Sequence, residues 1–235
     1  MLRLRDITLT LEEDESILPG KIAAELEMDA GLLRELRVVR RGIDARRKSR
    51  ILRIFTVEFT LPDEAALLAR HRHPRLEAVA EPSLPTPTRL QPGCRALVVG
   101  MGPAGLFAAL DLAGRGVAVT LIEQGSPVQE RVADVRRFWS GGRLDVDSNV
   151  QFGEGGAGTF SDGKLTTRLN HPWTRLVLQT LVDCGAPDDI LVQAKPHIGT
   201  DRLRLVLIRF RQRLQHSGVD IRFHTRLTGL AVAGG

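Results

Sequence analysis

Leu2, Leu4, Ile7, Leu9 and Leu11 recur among polar residues with a two-residue period. That spacing predicts a half-buried strand, and the change of phase near Arg5 predicts a β-bulge. Ile22 and Leu26, followed by Leu32, Leu33 and Leu36, predict one or two short helices broken near Asp29-Ala30-Gly31. Ile51, Phe55, Val57 and Phe59 predict a second strand that Pro62 stops. Asp63 is then placed to cap a helix carrying Ala66, Leu67 and Leu68. Residues 1–80 are therefore expected to form a small α+β domain.

Residues 81–93, EPSLPTPTRLQPG, hold four prolines, which remove backbone donors and favour extended chain, so they predict a linker. From 94 to 235 strand-like and helix-like stretches alternate, as in a parallel α/β sheet. The strand-like stretch Ile221 to Val232 runs into Gly234-Gly235 without a closing partner. This predicts a hairpin lacking its second strand, and hence a piece of a longer protein.

The chemistry concentrates after residue 94. Ala96-Leu97-Val98-Val99 is an apolar run suited to a buried parallel strand. It leads directly into Gly100-Met101-Gly102-Pro103-Ala104-Gly105. In such a turn the first glycine allows the bend, the second lets backbone approach a pyrophosphate, and the third lets helix pack on strand. Leu106, Ala109, Leu110 and Ala113 continue at helical spacing, so the helix N-terminal amides would face the ligand. Gly114 and Gly116 end that helix. Val117 to Ile122 is the next strand, and Glu123 closes it with a carboxylate able to accept from a ribose hydroxyl. An acid at that point disfavours a 2′-phosphate and therefore NADP; FAD and NAD both satisfy these residues.

Ser126-Pro127 predicts a helix start with a capping hydroxyl and proline at the first helical position, followed by Val128, Val132, Val135 and Trp139 on one face. Further on lies Val150-Gln-Phe-Gly-Glu-Gly-Gly-Ala-Gly-Thr-Phe-Ser-Asp-Gly-Lys164. Its glycines, hydroxyls and lysine predict a loop rich in free amides, of the kind that forms an anion-binding nest. Phe152, Phe160 and Leu165 are expected to be covered rather than exposed, which favours a loop packed against a cofactor over a solvated linker.

GMGPAGLFAALDLAGRGVAVTLIEQG followed by NVQFGEGGAGTFSDGKL resembles the bacterial FAD-dependent dehydrogenases, NAD(P)/FAD-dependent oxidoreductases of the glutathione-reductase type. PGKIAAEL and LRVVRRGIDARRKSR resemble their N-terminal domain, so the likeness covers essentially the whole chain. The resemblance implies an α/β architecture: a Rossmann-like FAD-binding domain, here incomplete, preceded by the small α+β domain. It implies that Gly100, Gly102, Pro103, Ala104 and Gly105 hold the FAD pyrophosphate and that Glu123, with Gln124 beside it, holds the adenosine ribose. It places Gly155, Gly156, Thr159, Ser161 and Lys164 near the pyrophosphate and flavin. Arg131 falls where such proteins often carry a basic residue, and Leu227 where backbone contacts adenine. FAD is the implied cofactor, with NAD(P)H a candidate reductant and a small molecule the substrate. Such families run to about twice this length and complete the site with a late Gly-Asp motif that this chain does not show.

Composition adds limits. Hydrophobic residues make up 43% and charged residues 26%, the balance of an ordinary globular protein. No apolar run approaches the ~20 residues of a membrane span, and MLRLRDITLT has no apolar core of a secretory signal. Cys94 and Cys184 form neither a CxxC pair nor a disulfide framework, so a reducing cytoplasm is expected. The net charge is +5, and Lys21, Lys48, Lys164 and Lys195 are the only lysines, so the basic charge is almost all arginine.

The run Arg40 to Arg50 could bind nucleic acid, but it lacks interleaved aromatics and is better read as a solvated loop joining Val38-Val39 to the strand at Ile51. His71 and His73 have no acidic or cysteine partners nearby in sequence and are read as surface residues, so no metal site is expected. His197 before Ile198-Gly199-Thr200 is read as loop packing or flavin approach, and Cys184 as core. Thr200-Asp201 predicts the cap of a helix carrying Leu203, Val206, Leu207, Phe210 and Leu214, ended by Gly218 before a strand at Val219 to His224. No side chain is singled out as a proton donor. The leading expectation is an FAD-dependent oxidoreductase; the alternatives are a non-catalytic nucleotide-binding module or sensor, and a flavoprotein acting on nucleic acid.

Overall fold

The computed structural model describes residues 1–70, 73–80, 88–91, 93–167 and 171–231. The chain divides into two compact units, Met1–Ser83 with Asp188–Pro196, and Leu84–Pro187 with His197–Gly235. Residues 188–196, inside the stretch read as one domain from 94 onward, thus cluster with the first unit. Residues 81–87 and Pro92 of the expected linker lie outside the described residues, as does His71.

The first unit is a four-stranded antiparallel sheet of order β2-β3-β1-β4, made of β1 (Leu2–Leu9), β2 (Arg34–Asp44), β3 (Leu52–Thr60) and β4 (Leu76–Ala78). Helices α1 (Leu18–Glu25) and α2 (Glu64–Arg70) accompany it. The alternation in β1 puts Leu2, Leu4, Ile7 and Leu9 into one core with Ile22, Leu26, Phe55, Val57, Phe59 and Leu67. The register of β1 on β3 shifts between Leu4 and Ile7, where Asp6 takes a positive φ of 57°, so the predicted bulge is present. Asp63 caps α2, its Oδ1 accepting from Ala66 N at 2.8 Å.

Two expectations fail here. Leu36 is not helical, and Arg40 to Asp44 is not loop: β2 runs through both and forms a hairpin with β3. The run RELRVVRRGID is too polar to show a clean period, and pairing with the apolar β3 decides its conformation. β2 is bordered in turn by a short bridge, with Arg41 N donating to Val192 O at 2.6 Å and Ala194 N to Arg41 O at 2.8 Å.

The second unit carries a parallel sheet of order β5-β6-β7, from β5 (Arg95–Val99), β6 (Ala118–Ile122) and β7 (Asp220–Arg222). Helix α3 (Pro103–Gly114) connects β5 to β6, and α4 (Val128–Trp139), α5 (Pro172–Asp183) and α6 (Thr200–His216) follow. In α6, Val206, Leu207, Phe210 and Leu214 are buried, and Phe210 meets Phe107 of α3 edge to face. Of the strand-like stretch read from Ile221 onward, only the part within β7 is strand, and among the described residues no strand follows it. No helix of the described residues is long and apolar enough to cross a membrane.

Candidate functional site

The glycine turn follows β5 as its sequence demands. Gly100 takes φ +93°, a conformation costly for other residues, and its N–H still joins the ladder to Ile122 O at 2.8 Å. Gly102 is the N-cap of α3 and Pro103 and Ala104 open its first turn, both exposed. Pro103 has no N–H to lose there. The amides of Ala104 and Gly105, like those of any first helical turn, have no intrahelical acceptor. A Cβ on Gly105 would collide with the carbonyl oxygen of Gly100 and lie 3.5 Å from Val98 Cγ1, so only glycine lets this helix approach the turn.

Glu123, at the end of β6, is 5% exposed and reaches across to that turn. Its Oε2 accepts from Met101 N at 2.7 Å; its Oε1 accepts from Gly125 N at 2.9 Å and Gly153 N at 3.0 Å. One carboxylate thus joins the first glycine turn, its own strand end and the second glycine cluster. Three of its roughly four lone-pair directions are used, leaving one for a further donor.

The second cluster folds back on the first. Gly155 N donates to Met101 O at 2.8 Å, and a Cβ on Gly156 would stand 3.2 Å from Gly102 Cα. Gly156 to Phe160 form a 3₁₀ turn, after Gly155 at φ +85°. The two glycine-rich motifs, about fifty residues apart in sequence, therefore line one place.

Arg131 and Glu154 hold the loop from beneath. Arg131 has no solvent exposure and donates to Asn149 O, Val150 O, Gly153 O, Glu154 O and Thr159 Oγ1 at 2.6–3.3 Å. Burial pulls its guanidinium down to about 10, so it stays charged at neutral pH. Its Cζ also sits 5.0 Å from the Phe160 ring centroid, which Arg204 approaches at 5.3 Å. Glu154 is fully buried, and burial pushes its carboxyl up from the usual range. Its Oε2 accepts from Val128 N at 2.7 Å and pairs with Arg211 of α6 at 2.9 Å, while Oε1 has no protein partner among the described residues.

Sequence pattern alone does not single out Glu154. Ser126 was expected to cap α4, yet its hydroxyl donates to Asp134 Oδ2 at 3.0 Å, and the first amide of α4 is met by Glu154 from 26 positions on. The signal was present: a lone charge inside a run of glycines and aromatics.

The other predicted residues are spread more widely. Thr159 is buried, its hydroxyl between Arg131 and Glu154 O. Ser161 is exposed and donates to Gly158 O at 2.9 Å. Lys164 is exposed, pairs with Asp162 at 2.8 Å, and bridges to His197 through backbone. Gln124 is half-buried, and Leu227, 40% exposed, follows Thr225, whose N–H donates to Glu123 O at 2.9 Å. Phe152, expected to be covered, is 43% exposed. Thr200 does not cap α6: Gly199 is its N-cap, and the Thr200 hydroxyl donates to Ser161 O at 3.0 Å. Cys184 is buried, and burial pushes its thiol up, which makes it a poor nucleophile. His73 lies 3.2 Å from Glu25, and no group of metal-ligating side chains occurs among the described residues.

Residues 95–159, which span the turn, Glu123, Arg131 and the second cluster through Thr159, match the model of a family described as an FAD binding domain. This match supports FAD binding by these residues. Residues 1–60 match a domain of unknown function (DUF8436). An uncharacterized protein of Clostridium beijerinckii is 39% identical over 237 residues, an alignment that takes in 100% of this chain and 44% of that protein. The chain thus spans less than half the length of this relative.

Proposed function

We propose that the second unit is the Rossmann-like dinucleotide-binding part of an FAD-dependent dehydrogenase acting on a small-molecule substrate, with NAD(P)H as a candidate reductant. The observation that carries this reading is the bond from Met101 N to Glu123 Oε2, which puts an acid at the end of the second strand beside the glycine turn of the first.

The residues fit the group. The unpaired amides of the first turn of α3, with open space around Gly102, suit a pyrophosphate. Glu123 keeps one acceptor direction for a ribose hydroxyl. Gly155 and Gly156, held against Met101 and Gly102, would border the same phosphates, with Thr159, Arg131 and Glu154 keeping that loop in place. Gln124 and Leu227 would border the adenosine, and Ser161 and Lys164 the flavin side. When bound, FAD supplies the hydride and electron chemistry, and these residues supply position and exclude water.

A second reading is nucleotide binding without turnover. Titrating the purified chain with FAD while following quenching of flavin fluorescence tests the first reading. Saturable quenching that Glu123→Ala weakens at least about tenfold is expected, since a carboxylate–hydroxyl bond contributes on the order of 1.5 kcal/mol or more. Absence of any saturable binding overturns it. Bound flavin that NAD(P)H does not bleach would favour the second reading.

A further inference from the structure

Arg204 of α6 is a charge with almost nothing to bind. Its side chain is only 25% exposed, and among the described residues none of its nitrogens makes a hydrogen bond. Nε is sealed from solvent and has no acceptor. The carboxylate paired with it is that of Asp201, 3.6 Å from Nη1 and 98% exposed, where water screens the attraction. Its Cζ lies 5.3 Å from the centroid of Phe160; a ring face offsets part of the charge but offers no oxygen to an N–H. Arg41 and Arg53 show the contrast. Each also lies over a ring, that of Phe55, with a buried Nε that lacks an acceptor. Yet Arg41 Nη2 donates to Glu15 Oε2 at 2.8 Å, and Arg53 Nη2 donates to Glu13 O. Buried charged groups in folded proteins are hydrogen-bonded, so a guanidinium with no partner marks the place of a group from outside the chain.

That place is defined by the helix. Arg204, Leu207 and Arg211 fall at i, i+3 and i+7 and share one stripe of α6. Arg211 pairs with Glu154 Oε2 at 2.9 Å, Leu207 fills the space that a Cβ on Gly155 would take, and Arg204 lies over Phe160. The stripe therefore runs along the second glycine cluster, with Arg204 at its Phe160 end. One turn earlier the Thr200 hydroxyl donates to Ser161 O, which ties the start of α6 to the same segment. Lys164, the cation expected there from the sequence, is exposed and paired with Asp162. Arg131 is engaged by five acceptors and Arg211 by Glu154. Of the three guanidinium groups against this cluster, Arg204 is the one with donors left to give.

We infer that Arg204 binds an oxyanion of the ligand held at the second glycine cluster. Its planar fork of N–H donors matches the paired oxygens of a phosphate or a carboxylate. The diphosphate of a dinucleotide and the carboxylate of a substrate present that same chemistry to it. The inference adds a residue to the site proposed above, and the anion contact does not depend on the cofactor being FAD.

Nitrogen-15 NMR of the wild-type chain tests it. Inorganic pyrophosphate and acetate are titrated separately while the Arg204 Nε–H resonance, assigned by its loss in Arg204→Lys, is followed. A saturable shift with at least one of them is expected. Arg204→Met should weaken binding of that anion at least about tenfold, against less than about twofold for Arg202→Met, which removes an equal charge from an exposed position of the same helix. Arg204→Lys keeps the charge without the fork and should lie between. Displacement of the anion by FAD assigns the oxyanion to the nucleotide; a shift retained with FAD bound assigns it to the substrate. Failure of FAD to bind while the Arg204 shift persists overturns the flavin reading and leaves the anion site in place. No saturable shift with either anion, or equal affinities of wild type and Arg204→Met, overturns the inference. If Arg204→Met does not fold, the wild-type titration and Arg204→Lys decide it.

Discussion

Arg131 donates to the carbonyl oxygen of Glu154 at 2.6 Å from a side chain with no exposure to solvent. A charge at that depth is costly, and the five acceptors gathered around it provide the compensation. The guanidinium serves as a frame on which residues 149–159 are wound.

Arg131→Met is expected to destabilise the second unit by more than about 3 kcal/mol, because several buried carbonyls lose their donor together. Arg131→Lys should recover only part, since one ammonium with three donors cannot reproduce a planar fork of five. Urea denaturation of the three proteins, followed by tryptophan fluorescence, measures both. A loss below about 1 kcal/mol for Met would contradict the framing role.

Glu123→Gln keeps the size of the side chain but turns one acceptor oxygen into a donor that faces the amide of Met101 or those of Gly125 and Gly153. We expect a stability loss of about 1–3 kcal/mol and weaker FAD binding. Measuring melting and FAD affinity on the same preparations separates the two: a variant with native affinity would show that the carboxylate serves the fold alone.

Gly105→Ala places a methyl group against the Gly100 carbonyl, which is backbone and can yield only by moving the turn. A loss of about 1–3 kcal/mol is expected, with weaker FAD binding as the α3 amides shift. Gly114→Ala, where nothing lies within 4 Å of the added carbon, is the control and should be neutral or slightly stabilising. Thermal denaturation followed by circular dichroism reads the difference.

Glu154 contributes a pH dependence of its own. Burial raises its folded value above the unfolded 4.5, so its favourable contribution is complete below about 4.5 and is lost as pH rises through the raised value. Glu154→Gln keeps an acceptor for Val128 N and removes the titration. The stability of the wild type relative to this variant should therefore fall between acid and neutral pH, as read from urea midpoints across that span. A constant difference would show that the Arg211 pair holds the carboxylate ionised throughout.

The sequence by itself determined those parts whose cause is local. The strand–glycine turn–helix–strand unit from Ala96 to Glu123 is legible because Gly100 and Gly105 answer short-range steric demands and the apolar periods are clean. The bulge in β1 and the Asp63 cap were legible for the same reason. Tertiary structure decided the rest. RELRVVRRGID became a strand because β3 offered it an apolar partner, and Ser126 yielded the cap of α4 to Glu154 because a loop distant in sequence brought a carboxylate closer. Arg131, which the resemblance marks only as a position often basic, lies under the second glycine cluster, where burial and five acceptors fix it. Long-range hydrogen bonds and burial depend on which segments meet in space, and no local pattern encodes that.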